Sequence, residues 1–197
     1  MVQKNYSLRP QHSNMSDPSA EDLSTRFRKV NNRPLTPSET QGILTTVHEN
    51  NDFFDPDILT VFILGHYGQE EKPHLKAVQE QLDGPGLNPR LMEDVFDFTE
   101  DWTAKFKLLL SYVDTIVGVY EHSHGGHCWE AGFIDQYKYR TRTQAFYRIY
   151  EDDDDQYEAY NGMFWTHMLS LKNIERARPW TDHADLLREV DQLDLHR

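Results

Sequence analysis

Apolar residues along this chain fall in short continuous runs that alternate with stretches of helical periodicity. The runs at 58–64 (ILTVFIL) and 113–120 (VDTIVGVY) are rich in β-branched residues, which is typical of strands buried on both faces of a parallel sheet. Weaker runs at 88–92, 143–150 and 174–178 predict three further strands. Because strands alternate with helices, we expect an α/β fold: a three-layer, doubly wound, parallel five-stranded sheet with the flavodoxin-like order 2-1-3-4-5.

Capping residues place the starts of two predicted helices. Thr36-Pro37-Ser38-Glu39 has a good N-cap, a proline at the first helical position and the glutamate of a capping box. Asp97 with Glu100 predicts a second helix start, before the central strand. Residues 1–34 are rich in polar and charged residues, so we expect a disordered or loosely ordered arm with at most a short helix at 22–30, followed by one domain at 35–197.

The central strand is followed by the stretch EHSHGGHCWEAG, in which a polar, glycine-containing loop leads into a helix. We expect that helix to bury Trp129, Phe133 and Tyr137, which recur at a spacing of four residues. Glu130 lies in its first turn, where a carboxylate is either a partner of the helix dipole or a catalytic group beside a ligand.

Glycines also follow the first strand, in Gly65-His66-Tyr67-Gly68, either as a simple turn or to let the backbone approach a ligand. In the expected strand order, both glycine loops face the crevice at the topological switch point, where ligands of open α/β sheets bind. The residues predicted to line one pocket there are Gly65, His66, Tyr67, His124, Gly125, Gly126 and Glu130.

Charge limits the partners that suit this chain. It has 33 acidic against 20 basic residues and a net charge of −13, so its field repels nucleic acids and anionic membranes. Two origins of the acidic excess are open, adaptation to a high-salt cytoplasm and an ordinary acidic cytosolic protein. A single cysteine, Cys128, excludes an intramolecular disulfide, and there is no apolar signal segment, so we expect a cytoplasmic protein.

The histidines around the central loop raise the question of a metal. His122, His124, His127 and Cys128 form H-x-H-x-x-HC, but this spacing matches no common zinc pattern. The alternatives are exposed loop polarity and direct contact with a ligand such as phosphate. Cys128 as a nucleophile lacks a clear partner base. We therefore expect no metal and no cofactor.

Three segments in this order resemble the nucleoside 2-deoxyribosyltransferase-like superfamily, which includes deoxynucleoside monophosphate N-glycosidases. They are VFILGHYG, YVDTIVGVYE and GGHCWEAG, and the resemblance covers about residues 58–180. A narrower resemblance, through MEDVFDFT and GGHCWEAG, is to haloarchaeal proteins of unassigned function. The positions that match the superfamily pattern are Asp114, Gly125, Gly126, Glu130 and Gly132.

The resemblance implies that Glu130 is a carboxylate nucleophile at the anomeric carbon and that the Tyr67 hydroxyl positions it. His124 stands where the family often has an aspartate or serine that touches the sugar or its phosphate. The family's general-acid position reads Lys105-Phe106-Lys107, without an acid. Asp94 and Asp97, on the loop after the second strand, complete the candidate substrate-binding set.

The expected function is therefore cleavage or transfer of the N-glycosidic bond of a nucleoside or nucleotide. The alternative is a non-catalytic module on the same fold that senses nucleotides or binds a partner. The expected partner is a small-molecule nucleoside or nucleotide, with no nucleic acid, no membrane and a homodimer left open.

Overall fold

A parallel sheet of five strands organises the computed structural model, which describes residues 19–49, 57–95, 97–152, 158–160 and 162–195. The strand order is β2-β1-β3-β4-β5, which confirms the predicted flavodoxin-like topology. Neighbouring strands pair in parallel throughout, and β3 occupies the centre, as its continuous apolar sequence predicts. The strands are β1 (Leu59–Gly65), β2 (Leu87–Arg90), β3 (Thr115–Tyr120), β4 (Thr143–Arg148) and β5 (Ala177–Trp180).

Helices cover both faces of the sheet because alternate residues of each central strand point to opposite sides. Val61 and Ile63 of β1 pack in the core cluster that includes residues of α3 and α8, whereas Phe62 and Leu64 pack with residues of α4 and α5. Residues of α7 pack over β4 on the second face. The helices are α1 (Ala20–Asn31), α2 (Pro37–Glu49), α3 (Lys72–Leu82), α4 (Trp102–Leu110), α5 (His127–Ile134), α6 (Tyr137–Arg140), α7 (Gly162–Lys172) and α8 (His183–Asp191).

The first described helix belongs to the domain, which corrects the expected loosely ordered arm through residue 34. Leu23 and Phe27 of α1 are fully buried with Ile43 of α2 and with residues of α4. The Arg26 guanidinium also donates to the Ser111 carbonyl oxygen at 2.7 Å. The helix is the short one expected at 22–30, but it buries an apolar face instead of remaining loose. Residues 1–18 of that arm lie outside the described part of the chain.

The predicted capping box of α2 is confirmed by both of its hydrogen bonds. The Glu39 backbone N–H donates to Thr36 Oγ1 at 3.2 Å, and the Thr36 N–H donates to a Glu39 carboxylate oxygen at 2.8 Å. The predicted start of α4 is wrong, because Asp101 caps this helix by accepting from the Ala104 N–H. Asp97 instead binds the ammonium group of Lys105, a side chain that is almost completely buried.

The helix after the central strand buries a different face from the one predicted. Trp129 is 40% exposed and Tyr137, on a separate short helix, is 76% exposed. The buried side chains of α5 are His127, Glu130, Ala131 and Ile134. Trp129 and Phe133 stack on each other at 5.5 Å between ring centroids, so the aromatic pair satisfies itself at the surface.

Both edge strands are short and carry a proline. Pro89 lies in the four-residue β2, and Pro179 lies in the four-residue β5. Neither residue has a backbone N–H to donate, which fits their positions at the edges of the sheet. In the part of the chain that the structure describes, no helix has the length and apolarity needed to cross a membrane.

Candidate functional site

The two glycine loops meet at the carboxyl edge of β1 and β3, where the connections diverge. Gly65 pairs with Val119 across the two strands, and a Cβ added at Gly65 would lie 2.5 Å from the Val119 carbonyl oxygen. From this edge the chain continues into α3 on one face of the sheet and into α5 on the other. This is the switch point at which open α/β sheets leave a crevice.

Glu71, at the start of α3, holds two histidines from the two loops. One of its carboxylate oxygens hydrogen-bonds His122 Nε2 at 3.0 Å, and the other lies 3.2 Å from His66 Nδ1. The His66 and His122 rings are in edge-to-face contact, 4.7 Å apart between centroids. The pKa of Glu71 is lowered despite its partial burial, because both imidazoles and the backbone stabilise the carboxylate. The ionised Glu71 thus bridges the loop after β1 and the loop after β3.

His127 presents a free nitrogen lone pair inside this cluster. Its Nε2 lies 2.6 Å from the His122 carbonyl oxygen, which can only accept, so Nε2 carries the proton. The opposite nitrogen, Nδ1, is buried and has no hydrogen-bond partner among the described residues. Burial lowers the pKa of His127 to about 4, so the ring is neutral at physiological pH.

Gly125 lets the central loop pass close to these rings. Its φ is +97°, in the region that favours glycine, and a Cβ there would lie 3.1 Å from the His66 ring. His124, the next residue back, has an exposed side chain, while its backbone N–H donates to His122 Nδ1 at 3.1 Å. Gly126 faces the outer Trp102 ring instead of the histidines.

Glu130 is a buried carboxyl group with unused hydrogen-bonding capacity. The residue is only 8% exposed, and its Oε2 has no hydrogen-bond partner within the described ranges. Burial raises the pKa of Glu130 to about 7. A group that served only the helix dipole would lie at the surface, where a carboxylate stays ionised. Glu130 therefore exists in both protonation states near neutral pH, which is a property of acid–base and nucleophilic carboxyl groups.

Two tyrosine side chains accompany Glu130. Tyr67 accepts a hydrogen bond from the Met92 N–H at 3.0 Å, which leaves its own O–H free to donate. Partial burial raises the pKa of Tyr67, and the nearby Glu130 carboxylate raises it further. The Tyr120 hydroxyl is completely buried, has no partner in the described part of the chain, and has a pKa raised by burial and by Glu130. Both hydroxyl groups are therefore close enough to Glu130 to respond to its charge.

Asp94 and Asp97, two of the predicted substrate-binding residues, have structural partners. Asp94 accepts from the Leu91 N–H at 2.7 Å and from the Gln79 side chain at 2.6 Å, which closes the turn after β2. Asp97 binds Lys105, as described above. Cys128 is half-buried, and burial raises the pKa of its thiol, so it is not an activated thiolate.

Glu71, His122 and His127 carry more of the site geometry than their sequence positions suggest. Glu71 lies 51 residues before His122, and a charged residue at a helix start is ordinarily a solvated one. Glu121, in contrast, is fully paired at the end of β3: one oxygen contacts His74 Nδ1 at 2.6 Å and the other accepts from Arg148 at 2.8 Å. It therefore stabilises the edge of the sheet and leaves no oxygen for a ligand.

The fold and the site together define an α/β protein of flavodoxin-like topology with a histidine- and glutamate-lined carboxyl edge. By sequence, residues 15–164 match the model of the family of unknown function DUF8170, and the chain belongs to that family. Neither the curated proteins nor the solved structures contain a match to this chain.

Proposed function

We propose that this protein cleaves or transfers the N-glycosidic bond of a nucleoside or nucleotide, with Glu130 as the nucleophile. The observation that supports this proposal is the buried Glu130 carboxyl group, with a free oxygen, beside the switch-point crevice. Buried polar atoms without partners are rare in folded proteins, and a catalytic role is one reason for a protein to keep one. The resemblance of GGHCWEAG to a catalytic segment supplies the reaction class.

In this mechanism the ionised Glu130 attacks the anomeric carbon of the sugar. The bond from that carbon to the base nitrogen breaks, and its electron pair leaves with the base. The product is a glycosyl ester of Glu130, which water hydrolyses or a second base displaces. Because burial disfavours the charged carboxylate, conversion into a neutral ester relieves that cost.

Tyr67 is the positioning residue of this mechanism. Its hydroxyl oxygen is held by the Met92 N–H, so its proton can be donated to Glu130 and fix the orientation of the carboxylate. Lys105 occupies the position where the resemblance places an acid, and its ammonium is bound to Asp97 and the Val95 carbonyl. The departing base therefore takes its proton from water. General-acid assistance is typically worth a factor of about 10²–10⁴, so we expect slow turnover.

The direct test is incubation of the full chain with nucleosides, deoxynucleoside monophosphates and NAD, followed by chromatography for free base. Glu130→Gln should abolish base release and leave binding of the same compound largely intact, because the amide keeps the shape and removes the nucleophile. Glu100→Gln is a matched control, since Glu100 is an exposed carboxylate away from the crevice. Release of base by Glu130→Gln at the wild-type rate would contradict the mechanism. Binding without release by the folded wild-type protein would instead favour a non-catalytic nucleotide sensor.

A further inference from the structure

His66, Glu71 and His122 converge through the atoms that metals bind. One imidazole nitrogen from each histidine and one carboxylate oxygen of Glu71 all lie within 4.8 Å of one another. All three side chains are partly buried, so the group is neither a loose surface cluster nor sealed from solvent. Two imidazoles and a carboxylate are a donor set that zinc and related divalent transition metals take in catalytic sites.

The spacing of these donors suits a single ion. With metal–ligand bonds of about 2.0–2.1 Å in a tetrahedral arrangement, two donors lie roughly 3.3 Å apart. The Glu71 oxygens lie 3.0 Å from His122 Nε2 and 3.2 Å from His66 Nδ1. Only the first of these contacts is a hydrogen bond, because His66 Nδ1 has no hydrogen-bond partner in the described ranges. A buried imidazole lone pair beside a carboxylate, but not bonded to it, is available to a cation.

Gly68 provides a second, independent observation. A Cβ at this position would overlap a Glu71 carboxylate oxygen and would lie 2.8 Å from His66 Nδ1. The backbone of the first loop thus runs directly against the donor atoms, and a side chain at residue 68 would displace them. A loop that must come this close to a histidine and a carboxylate is built around those two groups.

From these contacts we propose that His66, Glu71 and His122 bind one divalent transition-metal ion of the zinc class. Three protein ligands leave at least one position of a four-coordinate ion for water or a ligand oxygen. The site differs from the H-x-H-x-x-HC cluster visible in the sequence, with which it shares only His122. His127 uses Nε2 to bind a carbonyl, and the Cys128 thiol has a raised pKa instead of the lowered one of a metal ligand.

Metal binding requires one proton rearrangement, which gives the proposal a spectroscopic signature. In the metal-free chain His122 Nδ1 accepts the His124 N–H, so Nε2 carries the proton that Glu71 accepts. Once Nε2 binds the metal, the proton of the neutral ring is on Nδ1, and two donors then face each other. The His124 N–H must turn away, and the loop containing Gly125 must adjust with it.

The test uses the full chain, stripped with a chelator and titrated with Zn²⁺ and with Co²⁺, with no nucleotide present. We expect one ion per chain, the visible absorption of Co²⁺ with nitrogen and oxygen ligands, and a shifted His124 amide resonance. Glu71→Gln and His122→Ala should each weaken Zn²⁺ binding by at least about 100-fold, beyond the usual effect of losing an outer-shell partner. Cys128→Ser and His124→Ala are the matched controls and should bind as tightly as the wild type.

Three results would overturn the proposal. They are the absence of saturable Zn²⁺ binding by the folded wild-type chain, unchanged affinity in Glu71→Gln, and loss of binding in Cys128→Ser. Circular dichroism of each variant shows whether it is folded. If both ligand variants fail to fold, the wild-type titration and the His124 resonance still decide the question. Because these measurements need no substrate, failure of the N-glycosidase proposal would leave the result unaffected.

Discussion

Glu39 and Arg33 are joined by two parallel hydrogen bonds, of 2.7 and 2.8 Å, between carboxylate and guanidinium. The same carboxylate accepts from Thr99 Oγ1 at 2.7 Å, so it connects the segment between α1 and α2 to the loop before α4. The Arg33 guanidinium is the largest cause that lowers the pKa of Glu39 to about 2. This pair links the additional helical layer to the rest of the domain.

Acid should weaken this connection. Since the pKa of Glu39 falls from 4.5 to about 2 on folding, its stabilising effect is complete above pH 4.5 and is lost as the pH falls through 2. Arg33 is about one-third exposed, so after allowance for solvent screening we expect Glu39→Gln to cost about 2 kcal/mol at pH 7. Urea denaturation at pH 7 and pH 3 measures it. An equal cost at both values would contradict this assignment.

Gly65 should not tolerate a side chain. The Cβ of Gly65→Ala would lie 2.5 Å from the Val119 carbonyl oxygen and 2.6 Å from a Leu75 methyl group, and the backbone oxygen of the central strand cannot move aside. We expect a loss of about 1–3 kcal/mol in the free energy of unfolding. Gly132→Ala is the matched control, because an added Cβ there meets nothing within 4 Å. In the interior of α5 that change should instead add about 0.5–1 kcal/mol. Equal effects would rule out the steric argument.

Glu130 should destabilise the folded protein as the pH rises. Burial raises the pKa of Glu130 from 4.5 to about 7, so its contribution to stability is present below pH 4.5 and is lost as the pH rises through 7. At 1.36 kcal/mol per pH unit, this shift corresponds to about 3 kcal/mol. Glu130→Gln should therefore match the wild type at pH 4.5 and exceed it in stability at pH 8.5. A variant that is less stable at both pH values would show that the carboxyl group is structural.

Salt should stabilise the protein if the acidic excess reflects adaptation to high salt. Molar KCl screens the self-repulsion that accompanies a net charge of −13. A gain of about 2 kcal/mol would raise the thermal midpoint of a protein of this size by roughly 4–8 °C. Differential scanning calorimetry between low and molar KCl measures the shift. An unchanged midpoint would instead indicate an ordinary acidic protein.

The fold could be predicted because its main signals are local. The run TIVGVY is buried and β-branched, and the Thr36 and Glu39 capping box depends on residues three positions apart. The burial of α1 could not be predicted in the same way. Leu23 and Phe27 pack against Ile43 and Phe98, which are distant in sequence, so a polar composition outweighed two apolar residues in the prediction.

The site could be predicted only in part, for a similar reason. The glycines after β1 and β3 pointed to the crevice, and Glu130 stood out by its position after the second loop. Glu71 did not, since its contacts with His66 and His122 come from tertiary structure. The predicted aromatic face of α5 was wrong because spacing does not show which side of a short helix faces the core. Here the buried side includes the polar residues His127 and Glu130.

Pro89 and Pro179, one on each edge of the sheet, limit how this protein can assemble. An edge strand with free N–H and C=O groups can recruit a strand from another copy, and repetition of that contact produces filaments. Here each edge offers only four residues, and one of them has no N–H. On the β2 side the Pro89 carbonyl is also occupied by the Gln79 side chain at 3.1 Å. Strand-by-strand growth is therefore blocked at both ends, and a homodimer of this chain would have to form through its helical faces.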